Sequence, residues 1–215
     1  MTAFATAGLP MQYGDLFTSH TGTPVLNELM IFAADNLVYL IPLALLALWF
    51  MPDEEGTNTA FRMALAFPRV VTKNGKTKSV FIFVTIVVSL ALSYAMGQLY
   101  SHPAPYMAGY DTLITEAPEN SFPSQHTTVV FAFAWAVVYL HDQLRVGLTA
   151  LLFASFVGIS RVYVGVHYPI DIIGGIGASL LGVTIVYAVR DRVTDFAKRC
   201  IHIEDRLRTV LLQAF

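Results

Sequence analysis

The chain is poor in charge and almost without cysteine. Of its 215 residues, 13% are charged and 55% are hydrophobic, whereas a soluble domain carries about 25% charged residues. That deficit excludes an ordinary water-covered surface over much of the molecule and points to lipid. A single cysteine, Cys200, excludes an intramolecular disulfide and supplies no ligand pattern, which leaves it a packing role. The first 25 residues lack the basic start and long apolar run of a signal peptide, so insertion is expected to rest on the first membrane helix. No internal repeat or low-complexity segment breaks the chain, which is taken as one domain, 1–215.

Five stretches are long and apolar enough for a hydrocarbon core of about 30 Å, which takes roughly 20 helical residues. They cover 31–51, 79–100, 124–144, 145–160 running on towards 166, and 169–189. Pro42 is expected to kink the first. The fold class is therefore an all-α integral membrane bundle of about five helices. Lys and Arg orient it. Arg62, Arg69, Lys73, Lys76 and Lys78 lie between spans one and two, and Arg145 lies between three and four. Arg190, Arg192, Lys198, Arg199, Arg206 and Arg208 follow span five. With five spans these segments share one face, cytoplasmic by the positive-inside rule. The N-terminal segment, the 101–123 loop and the 161–168 loop then face outward, and Arg161 is the lone Lys or Arg among them.

Val193, Phe196, Cys200, Ile203, Leu207 and Val210 recur at spacings of three and four between charges, which predicts an amphipathic helix over the 191–215 tail. It either lies on the cytoplasmic membrane surface or packs against the bundle or a second subunit. A weaker segment of the same kind is 60–67. Small residues recur every fourth position in spans four (Ala150, Ala154, Gly158) and five (Gly174, Ala178, Gly182), which predicts close approach of these two helices. Basic residues spread over three segments without an aromatic platform argue against nucleic-acid binding.

Polar groups suited to phosphate chemistry collect at the outward ends. Ser124, preceded by Pro123, is placed to cap span three, leaving the N–H groups of Gln125, His126 and Thr127 at the positive end of the helix dipole. Arg161 offers a planar fork for phosphate oxygens. His126 and His167 sit at equivalent depth; one imidazole can attack phosphorus and another can protonate the departing oxygen. Asp171, four residues beyond His167, can take the proton of one ring nitrogen and leave the other free. Ser160 either joins the phosphate ligands or back-bonds within its helix. His and Asp groups also suit a metal, but the arginine and the serines favour an oxyanion. His20, His141 and His202 lack such partners and are assigned to packing or the interface. Asp35 and Asn36 are assigned to capping or bundle-polar roles.

At these residues the chain resembles the type 2 phosphatidic acid phosphatase superfamily, whose pattern is K-x6-R-P, P-S-G-H and S-R-x5-H-x3-D. Pro123-Ser124-Gln125-His126 matches the second motif and Ser160-Arg161-x5-His167-x3-Asp171 the third. Within the superfamily it is most similar to bacterial undecaprenyl-diphosphate phosphatases of the bacitracin-resistance type, on the runs 121–128 and 164–171. The resemblance implies a metal-independent, cofactor-free hydrolase of a polyprenyl diphosphate lipid. It implies His167 as nucleophile forming a phosphohistidine, Asp171 orienting it and His126 protonating the leaving group. Arg161, Ser124 and the Gln125 backbone then hold the phosphate.

The first motif departs from the pattern. Ala104 stands where the arginine belongs and Gly97 where the lysine belongs, and His102 is the one local substitute cation. Restoring the charge with Ala104→Arg is expected to raise activity if the site is merely weakened. A phosphotransferase, or a phosphatase for phosphatidate or phosphatidylglycerophosphate, is a neighbouring reading. A non-catalytic lipid-phosphate binder or carrier is the reading of a different class. A vanadate-dependent haloperoxidase shares the motifs but not the five spans.

Overall fold

The structure, a computed structural model, describes residues 22–50, 75–101, 103–114, 120–140 and 144–213. The expected 60–67 helix, and His20, His102, Glu116, Glu119 and His141, lie outside them. Among the described residues the chain is helical, with one isolated antiparallel bridge between Pro103 and Asn120. The helices are α1 (Pro24–Asp35), α2 (Leu40–Phe50), α3 (Gly75–Leu99), α4 (Gln125–Leu140), α5 (Leu144–Tyr163), α6 (Pro169–Ala188) and α7 (Arg190–Gln213). A 3-10 turn, Leu37–Tyr39, joins α1 to α2, and another covers Pro105–Ala108.

Helices α3, α5 and α6 are each long and apolar enough to cross a membrane. α1 and α2 pass the same test together as one span bent by 42°. α4 is shorter, 16 residues, or about 24 Å of helix. The five apolar segments thus occur in the expected order. The first one differs in detail: it begins at Pro24 and breaks at Asn36, not at Pro42. Asn is a weak helix former, and here it caps α1 with its amide on the Phe32 carbonyl. Pro42 falls in the first turn of α2, where a missing N–H costs the helix nothing.

α4 is the hub. It packs along α3, α5 and α6, and its buried residues surround it: Thr127, Thr128, Val130, Phe131, Ala132, Ala134, Ala136 and Val137. A helix apolar on every side belongs in the middle of a bundle. The small-residue stripes do permit close approaches, but not mainly with each other. α5 packs on α4, and α6 packs on α3 and α4. Of the stripe residues, Gly158 faces Ile172 of α6 as well as Phe131 and Thr127 of α4, Gly174 faces Phe122 and Pro123, and Gly182 faces Ser89 of α3. A stripe of small residues fixes that some backbone comes near; it does not name the partner.

Helix α7 begins against the bundle and ends away from it. Val193 and Ala197 are buried, with Val193 in the main apolar core, whereas Ile203, Leu207 and Val210 are exposed. An ion pair between Lys76 and Glu204 fastens it to the start of α3. Of the placements considered for the tail, packing on the bundle describes its first half.

Helices α6 and α3 approach closely at Gly182, where an added Cβ would stand 2.1 Å from the Ser89 hydroxyl and 3.0 Å from the Ser89 Cα. Gly182→Ala is therefore expected to destabilise the protein by about 1–3 kcal/mol through overpacking. Adding Ser89→Gly should restore most of the loss, as read by thermal unfolding in detergent.

Candidate active site

Two loops and three helix ends converge at one end of the bundle. The decisive tie is a backbone hydrogen bond of 3.0 Å from the Ser124 amide to the Asp171 carbonyl. It pins the start of α4 to the start of α6 and so joins motifs more than forty residues apart in sequence. Ser124 is fully buried. Its hydroxyl accepts from the Thr127 amide at 3.4 Å and the Thr127 hydroxyl at 3.0 Å. This is the N-cap expected from the sequence, and it leaves the amides of the first helical turn at the positive end of the dipole. Gln125 is exposed at that end and His126 is half-buried.

The loop from α5 to α6 brings the third motif round. Gly165 takes a positive φ of 82°, and a Cβ there would come within 2.7 Å of the Asp111 carbonyl. Both the backbone conformation and the neighbour demand glycine. The Leu113 amide bonds the Val164 carbonyl at 3.0 Å, tying the 101–114 segment to this loop.

His167 and Asp171 are buried, 5% and 0% exposed. The Asp171 Oδ2 accepts from the Tyr168 amide at 2.8 Å, which holds the carboxylate at the head of α6. From there Oδ2 lies 3.6 Å from Nδ1 of His167, just beyond hydrogen-bond length. Burial pushes the His167 imidazole below its ordinary pKa of 6.5; Asp171 and the Ser121 backbone oppose the shift, and Arg161 adds to it. The ring is consequently neutral at pH 7, the state an attacking nitrogen requires. His126 shares this electrostatic neighbourhood with Arg161 and His167.

Arg161 is buried, and one arm of its fork is occupied. Nη1 donates to the Ala34 carbonyl at 3.2 Å and to Asp35 Oδ1 at 3.0 Å, while Nε is buried without a partner. A buried guanidinium N–H left unpaired is costly, and an oxyanion would satisfy it. Ser160 is buried beside it, but its hydroxyl donates to the Val157 carbonyl at 2.7 Å, the back-bonding arrangement.

The structure brings Ser124, Gln125, His126, Ser160, Arg161, His167 and Asp171 to the same end of the bundle. His102 lies outside the described residues. Of the first-motif positions, Gly97 is half-buried and Ala104 buried. Ala104 has no exposed surface. A Cβ on Gly97 would meet the Phe122 carbonyl at 3.0 Å.

Asn120 has no role in the sequence pattern, and Asp35, expected only as a capping or bundle-polar group, proves to be the partner of Arg161. Asn120 donates to the Gly97 carbonyl at 3.0 Å and accepts from the Phe122 amide at 3.1 Å, bridging the end of α3 to the strand of chain that enters α4. Asp35 binds Arg161 across 126 residues. A polar residue at each loop-facing end was the available signal; the partners were not.

Comparison with known proteins agrees with this geometry. A family model described as the PAP2 superfamily matches residues 78–195. The undecaprenyl-diphosphatase BcrC of Bacillus subtilis strain 168 is 26% identical, covering 85% of this chain and 84% of its own. The bacitracin transport permease protein BcrC of Bacillus licheniformis is 32% identical, covering 74% of this chain and 68% of its own. Among solved structures, LpxE of Aquifex aeolicus superposes with a TM-score of 0.59 at 20% identity, over 87% of this chain and 99% of that one. With a family match over more than half its length and both later motifs gathered at one end of an apolar bundle, the chain belongs to the PAP2 superfamily and is a membrane-embedded lipid phosphatase.

Proposed function

We propose that the protein hydrolyses undecaprenyl diphosphate to undecaprenyl phosphate at the outer face of a bacterial cytoplasmic membrane, without a metal, through a phosphohistidine. The observation that carries this reading is the buried pair His167–Asp171 beside the unpartnered Nε of Arg161. A binding site needs cations and amides; it has no use for a neutral imidazole backed by a carboxylate. The diphosphate substrate is supported by the name of the Bacillus subtilis relative. The outward orientation is supported by the twelve basic residues in the three segments beyond the opposite helix ends.

In this mechanism the head-group phosphate sits between the first turn of α4 and Arg161. The His167 nitrogen turned away from Asp171 attacks the terminal phosphorus. The bond from phosphorus to the bridging oxygen breaks, and His126 gives that oxygen a proton as the lipid monophosphate leaves. Asp171 stabilises the ring as it becomes positive. Water, deprotonated by His126, then attacks the phosphohistidine, releasing inorganic phosphate and restoring both histidines. The lipid chain stays in the bilayer throughout. Arg161 and the α4 amides face the charge that develops on the equatorial oxygens.

A carrier or binder of the same lipid has one observation in its favour. Gly97 and Ala104 leave the first-motif cations absent.

Phosphate release from undecaprenyl diphosphate by the purified protein should persist in EDTA. His167→Ala should lower it by about a thousandfold or more. Brief exposure to radiolabelled substrate should leave an acid-labile label on wild type and none on the mutant. Release without label, or label without His167, would overturn the phosphohistidine; neither release nor label would favour the binder.

The His167 ring should titrate with a midpoint below 6.5, because its charged form is the disfavoured one when buried. Histidine NMR against His167→Gln measures this. Activity then keeps its neutral nucleophile as pH falls through 6.5 and loses it only below. Ala104 is fully buried, so Ala104→Arg is expected to cost stability through overpacking; thermal unfolding alongside phosphate release measures that cost against any gain in activity from the restored charge.

A further inference from the structure

Of the cations in the motif pattern the sequence keeps Arg161 and lacks the first-motif lysine and arginine, so the accuracy with which Arg161 is aimed matters more than usual. Its guanidinium is held at one arm. Nη1 donates both to the Ala34 carbonyl and to Asp35 Oδ1, leaving Nε buried and unpaired. Its side chain is 5% exposed, and that of Asp35 is 44% exposed. The acceptors come from the last turn of α1, where carbonyls lack helical partners and the dipole is negative. The break at Asn36 is what ends the helix there. A second bond fastens the same pair of helices: the Tyr163 hydroxyl donates to Asn27 Oδ1 at 2.7 Å.

We infer that Asp35 is a positioning residue for the phosphate site, holding Arg161 by one arm, together with the Ala34 carbonyl, so that its Nε edge is presented to the head-group phosphate. This rests on the phosphatase reading above. A guanidinium is planar, so fixing Nη1 fixes the direction of the Nε–H bond. Asp35 does not touch the phosphate, since two anions on one arm would repel. It acts through Arg161, and the broken first span is the element that delivers it. The lysine and arginine of the first motif are replaced here by stricter orientation of the one arginine that remains.

The test is a mutant cycle on purified full-length protein, with phosphate release from undecaprenyl diphosphate as the assay and thermal unfolding recorded for each variant. Asp35→Ala should lower kcat by about tenfold with KM changed little, because the misaimed fork fails mainly at the transition state. Asp35→Asn keeps an oxygen acceptor for Nη1 and should recover most of that loss. In an Arg161→Lys background, where no planar fork exists to be aimed, Asp35→Ala should change kcat less than about twofold. An equal loss in both backgrounds, or an Asn variant no better than Ala, would overturn the inference. If Asp35→Ala does not fold, the comparison of Asp35→Asn with Asp35→Leu in the two backgrounds decides it in the same way. Wild type and His167→Ala are run alongside. An inactive wild type would count against the phosphatase reading, whereas an active wild type with uncoupled Asp35 counts against Asp35 alone.

Discussion

A single backbone hydrogen bond, from the Ser124 amide to the Asp171 carbonyl, is the constraint on which the site depends. It lies between two helix N-termini, each of which carries the positive end of a dipole. Bringing two such ends together in an apolar bundle is unfavourable unless something negative sits between them. The Asp171 carboxylate meets part of that need at the head of α6, where it caps the Tyr168 amide. The positive potential at this junction is thus a consequence of where the helices begin.

The packing of the bundle serves that junction. α4 is apolar on all sides and central, so its first turn is held by neighbours on three sides. The closest approaches occur where glycine or serine removes bulk: Gly175 beneath the Ser124 carbonyl, Gly182 against Ser89. Ser93 and Thr128, facing each other from α3 and α4 at 3.3 Å, hydrogen-bond instead of merely touching. In lipid, where burial of apolar surface gives no drive between helices, such close contacts and short polar bridges supply the association. Rigid neighbours also explain how an arginine and a histidine stay buried here at all.

The site therefore differs from a motif list in a specific way. Arg161 is engaged at rest by α1, a segment outside every motif, and Asn120 bridges α3 to the entry of α4. Of the first-motif positions, Gly97 lies against Asn120, Phe122 and Pro123, the chain segment that leads into the second motif, and Ala104 is fully buried.

Much of this was legible in the sequence. The apolar runs, the charge deficit and the distribution of Lys and Arg determined a multi-helix membrane bundle, because spanning length and backbone satisfaction leave helices as the economical answer. Ser124 as a cap and the His167–Asp171 spacing were local, set by residues within one or two turns of each other. The break at Asn36 in place of Pro42 was harder, since proline near a helix start is harmless and position relative to the start is not visible beforehand. The partners of the small-residue stripes, the aim of Arg161 and the closure around Gly97 and Ala104 were decided by tertiary structure alone. Each depends on contacts between residues tens to more than a hundred positions apart, and periodicity within one helix carries no information about which other helix will face it.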